Sequence, residues 1–103
     1  MRFMLTFQIG LEQGNAAVKD GTLGQTIQSI LNEIRPEAAY FADIDGSRGG
    51  YLIINMDDAS RIVAIAEPLF LGLGATIKLQ PVMTPEDLDR ASEALQLAAQ
   101  KYG

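Results

Sequence analysis

Apolar and polar residues alternate along the opening of the chain. Phe3, Leu5, Phe7 and Ile9 fall on one side and Arg2, Met4, Thr6 and Gln8 on the other. A period of two predicts a β-strand over residues 2–9. Residues 10–20 are less regular. Asn15-Ala16-Ala17-Val18-Lys19 has the composition of a short helix that Asp20-Gly21 interrupts. At Thr22, followed three residues later by Gln25, the spacing is that of a capping box. Leu23, Ile27, Ile30, Leu31 and Ile34 then recur at helical intervals until Pro36, whose ring disfavours helical geometry in the residue before it.

Two further strands are predicted over 38–45 and 50–56, joined through Asp45-Gly46-Ser47-Arg48-Gly49-Gly50 as a hairpin. Asp57-Asp58 supplies a cap and an acidic first turn for a second helix, with Ile62, Ile65, Ala66, Leu69, Phe70 and Leu73 as its apolar face. Pro68 lies within that helix, and Gly72 and Gly74 suit its left-handed end. Residues 75–82 alternate as a fourth strand. Thr84-Pro85-Glu86-Asp87 opens a third helix, with Leu88, Ala91, Leu95, Ala98 and Tyr102 expected along its buried side. The order β-α-β-β-α-β-α makes this an α+β chain and points to a ferredoxin-like unit: a four-stranded antiparallel sheet, two helices on one face, and an added C-terminal helix.

The chain's 103 residues form a single domain, 1–103, with one core. The eight basic residues are scattered among thirteen acids for a net charge of −5, which argues against nucleic-acid binding. No apolar run approaches the ~20 residues that span a bilayer, and the apolar start is too short for a signal peptide, so a cytoplasmic protein without a membrane role is the expectation. Cysteine and histidine are both absent. No thiolate nucleophile, disulfide, imidazole base or zinc-thiolate site can be built, and no cofactor is expected.

Three stretches carry a resemblance: Arg2-Phe3-Met4-Leu5-Thr6-Phe7, Asp43 to Ile54 with its Asp-x-Asp-Gly hairpin, and Lys78-Leu79-Gln80-Pro81-Val82-Met83. They resemble a bacterial family of small proteins known as a domain of unknown function within the dimeric α+β barrel superfamily. The resemblance covers most of the chain apart from residues 10–25. It implies a homodimer whose open sheet faces close into a barrel. The superfamily holds cofactor-independent monooxygenases, muconolactone isomerase-like enzymes, haem-degrading enzymes and proteins without known activity, so kinship at this level does not choose a function. Many catalytic relatives use a histidine, which this chain lacks.

The barrel reading directs attention to the polar residues of the first and fourth strands. Thr6, Gln8, Lys78 and Gln80 are expected to project between the sheets, with Tyr40, Asp43, Tyr51 or Asn55 nearby; of these, Asp43 and Tyr51 join the first four as the candidate ligand-binding group. A lysine held there can act as a base or carbonyl partner; the plainer alternative pairs Lys78 with Asp43 or Glu37, or leaves it in water. Asp43-x-Asp45 has the spacing of a carboxylate pair for a hard cation, but shaping the hairpin, with Asp45 accepting turn amides, is the more economical role. No metal site is expected. Three functions follow: a dimeric binder of a small organic molecule, a cofactor-independent isomerase or monooxygenase acting on a small aromatic or lactone, and a protein-interaction module.

Overall fold

The computed structural model describes all 103 residues. Its elements are β1 (Arg2–Ile9), α1 (Leu11–Asp20), α2 (Leu23–Ile34), β2 (Ala38–Ile44), β3 (Ser47–Asn55), α3 (Arg61–Leu73), β4 (Ala75–Pro81), α4 (Pro85–Arg90) and α5 (Ser92–Tyr102). The protein is α+β, with one four-stranded sheet in the order β2-β3-β1-β4 and every neighbouring pair antiparallel. This arrangement is compatible with the ferredoxin-like plan. No helix is long and apolar enough to cross a membrane.

The core forms where the apolar side of the sheet meets α2 and α3. Leu5, Phe7 and Ile9 of β1 and Leu52 and Ile54 of β3 pack beneath Ile30, Ile34, Ile65, Leu69 and Leu73. Each fully buried side chain of this kind contributes about 1.5–3 kcal/mol. The apolar spacing of α2 is realised as expected, with Leu23, Ile27 and Leu31 partly buried against the same cluster.

Several local expectations are corrected. The ambiguous segment after β1 is a full helix, α1, closed by Gly21. Thr22 forms no capping box with Gln25. The end of α1 has already claimed it, since both its N–H and its hydroxyl donate to the Ala17 carbonyl. The hairpin turn is only Asp45-Gly46, with φ of 50° and 88°, the pair of positive values that a two-residue turn matched to strand twist demands. β3 therefore starts at Ser47 instead of residue 50. It is Asp43, not Asp45, whose carboxylate accepts the Gly46 amide at 2.7 Å. Asp57-Asp58 stand before α3 without capping it directly: the Asp58 carboxylate accepts the Ser60 N–H at 2.8 Å, and the helix begins at Arg61. Within α3, Ile62 and Phe70 are exposed while Ile65, Ala66, Leu69 and Leu73 are buried.

The largest correction concerns the C-terminus. Thr84 and Asp87 do form a capping box around Pro85. The helix then breaks at Ala91, and α5 buries no residue. Leu88, Leu95 and Tyr102, expected inside, are 49%, 61% and 80% exposed. The α4–α5 arm leaves the body of the molecule, whose extents are 59 × 27 × 19 Å.

Candidate functional site

Helices α1, α2 and α3 lie on one side of the sheet, and the core they form leaves the other side open. Strand register assigns its residues in rows. Tyr40 of β2, Tyr51 of β3, Thr6 of β1 and Lys78 of β4 are directly opposite one another in turn and make the central row. Ala38, Ile53, Met4 and Gln80 form the row on one side of it, and Ala42, Gly49, Gln8 and Thr76 the row on the other. Strands in a sheet are about 4.8 Å apart, so a row spans ~14 Å from edge to edge.

Both ends of this face are fastened by side chains. At one end the Arg2 guanidinium donates through Nε and Nη2 to Glu37 at 3.1 and 3.0 Å. The N-terminal ammonium donates to Asn55 Oδ1 nearby. At the other end Gln8 Nε2 reaches across Gly49 to the Ile44 carbonyl at 2.8 Å, and the Ser47 hydroxyl donates to the Ile9 carbonyl. Gly49 has to be a glycine here, since a Cβ on it would lie 2.1 Å from the Phe7 carbonyl oxygen. The central row has no such ties. Tyr40, Tyr51, Thr6, Lys78 and the adjacent Gln80 make no side-chain hydrogen bond within the chain, and Lys78 pairs with neither Asp43 nor Glu37.

Of the six residues singled out from sequence, the structure thus brings five to one face: Thr6, Gln8, Tyr51, Lys78 and Gln80. Gln8 is already engaged in holding the hairpin to β1. Asp43 does not belong with them. It pairs in register with Arg48, one position out of phase with Tyr40–Tyr51, so its side chain lies on the helix side. Because successive strand residues alternate faces, moving the turn from residues 45–50 to Asp45-Gly46 settles which strand residues belong together. Tyr40, which completes the central row and is 63% exposed, was not among the six. Its position opposite Tyr51 follows only from the register of the turn. No group of three or more acidic residues converges to hold a metal ion.

On the helix side Arg48 has its own setting. Its Nη1 donates to Asn15 Oδ1 of α1 at 3.0 Å. Its stem lies against Gly14, where a Cβ would sit 3.0 Å from Nη1 and 3.3 Å from Ile9. Glycine inside a helix costs roughly 0.5–1 kcal/mol relative to alanine. Here it makes the room in which the arginine is seated. No family model matches this chain, and no curated protein matches it either.

Proposed function

We propose that the chain acts as a homodimer of ferredoxin-like units, akin to the small bacterial family that its strand motifs resemble, and that its paired open faces bind a small organic molecule between them. The observation that carries this reading is the central row. Tyr40, Tyr51, Thr6 and Lys78 offer hydroxyls and an ammonium on one uncovered face, free of partners within the chain. The flanking Met4, Ile53 and Ala38 make that face too apolar to be a purely solvated surface. Pairing with a second copy about a two-fold axis would bury these residues and leave the polar row lining an interior. The missing cysteines suit a reducing compartment such as the bacterial cytoplasm.

Sedimentation equilibrium at micromolar concentration is the first test, with twice the chain mass of 11.1 kDa expected. An 11.1 kDa species would overturn the dimer. Thermal-shift screening of small metabolites follows. A ligand at 100 times its dissociation constant adds about 2.7 kcal/mol, a clear rise in the midpoint. The rise should disappear in Lys78→Ala and Tyr51→Phe, and a hit that both variants retain would place binding elsewhere.

The specific pairing of Lys78 with Thr6, and of Thr6 with Tyr51, favours a second reading: a cofactor-independent isomerase or monooxygenase acting on a small aromatic or lactone. An ammonium and a phenol on the same row supply positive charge and a hydrogen-bond donor to stabilise an anion that develops on the substrate, without histidine. Turnover by wild type that is abolished in Lys78→Ala would select this reading over simple binding.

A further inference from the structure

The helix-covered side of the sheet holds a separate cleft, independent of how the open faces pair. It has a volume of about 380 Å³ and runs between α2 and the β2–β3 hairpin, lined by Phe7, Ile9, Leu23, Ile27, Phe41 and Arg48. β2 is the least covered strand, with Tyr40 to Asp43 all exposed, and this leaves Phe41 56% exposed at the cleft wall. Volumes of this order, with mostly apolar walls and few polar groups, are typical of small-molecule sites.

The polar group is Arg48. It is half-buried, and its only side-chain partner is the neutral amide of Asn15. Asp43 stands opposite it in register, yet Asp43 turns to the hairpin amide of Gly46 and forms no ion pair with the arginine. A guanidinium carries five N–H donors in a planar fork that fits a carboxylate. Gly14 and Asn15 of α1 hold it in place, one by leaving space and the other by accepting a hydrogen bond. The first turn of α2, beginning at the cleft residue Leu23, contains no acid to oppose a negative charge. A single arginine with Asp43 beside it, in a chain of net charge −5, suits a monoanion and disfavours a polyphosphate.

We infer that this cleft binds a small apolar monocarboxylate, an aryl or branched alkyl acid, with its hydrocarbon against Phe7, Ile27 and Phe41 and its carboxylate on the Arg48 guanidinium. The test is an amide NMR titration of the intact protein with naphthylacetate and with the matched alcohol, naphthylethanol. The acid should shift Ile27 and Phe41 and bind at least about tenfold more tightly than the alcohol, the size expected of a charge-assisted hydrogen bond. In Arg48→Met the acid should fall to the affinity of the alcohol while the alcohol is unchanged. Should that variant fail to fold, the acid–alcohol comparison in wild type still decides. Equal binding of the two, binding of neither at millimolar concentration, or shifts confined to Thr76 and Lys78 on the open face would each overturn the assignment.

Discussion

Phe7 and Phe41 meet edge to face above Gly50, their ring centroids 6.3 Å apart and their planes at 81°. Gly50 is the residue opposite both of them, in the strand between. The two rings touch across a strand only because that strand has no side chain there. A Cβ on Gly50 would also lie 2.1 Å from the Tyr40 carbonyl oxygen, so the backbones of β2 and β3 approach as closely as glycine permits.

Gly50→Ala is therefore expected to destabilise the protein by about 1–3 kcal/mol, the usual cost of overpacking. Urea denaturation would show a lower midpoint. Phe41→Ala, which removes a half-exposed ring and its edge contact, should cost less, about 1 kcal/mol. An unchanged midpoint for Gly50→Ala would discard the steric account of this position.

Ile53 lies on the open face between Met4 and Ala38, away from the helix-side core. Ile53→Asp should leave the circular-dichroism spectrum intact and yield the 11.1 kDa monomer in sedimentation equilibrium. A variant that still dimerised would show that the copies meet through some other surface.

Much of this arrangement could be read from the residues themselves. β1, β4 and α2 follow from uninterrupted periods of two and of three to four, and these placed Thr6, Gln8, Lys78 and Gln80 on one face. The helix start at Thr84-Pro85-Glu86-Asp87 was legible because all its signals lie within four residues. The capping box read at Thr22 does not form, because the same groups are drawn to Ala17 by the end of the preceding helix. Helix α1 was obscured because Asp20-Gly21, which reads as an interruption, is the helix's own left-handed end, while Gly14 within it serves Arg48 in a distant strand. Asp43 was misplaced because its face depends on the register of a turn that the run Gly46 to Gly50 leaves ambiguous. The apolar spacing of α4–α5 identified a stripe but said nothing about what covers it.

The Thr84 cap carries a pH dependence. The Thr84 N–H bonds to the Asp87 carboxylate and holds its pKa below the ordinary 3.8. A depressed folded-state value means stability present above about pH 4 and lost as the pH falls through the folded pKa. Helix α4 should therefore fray in acid below pH 4, with the Asp87 carboxyl signal titrating lower than that of an unbonded aspartate. Thr84→Ala should fray it at neutral pH by roughly 1 kcal/mol. If the Asp87 carboxyl titrates at or above 3.8, this source of acid sensitivity is absent.

Leu95 is 61% exposed on a helix that buries no residue. Leu95→Ser should change the unfolding free energy by no more than about 0.5 kcal/mol, as surface substitutions do. A loss well above that, seen at high protein concentration and relieved on dilution, would show that a second copy covers the arm.

The arm that α4 and α5 form has a hydrodynamic consequence. A compact chain of this length has a radius of gyration near 13 Å, whereas this one has 17.3 Å. On a gel-filtration column calibrated with spheres, a single copy would elute ahead of its mass and imitate a dimer. Only methods that weigh the particle without assuming its shape, such as equilibrium sedimentation or light scattering, can count the chains.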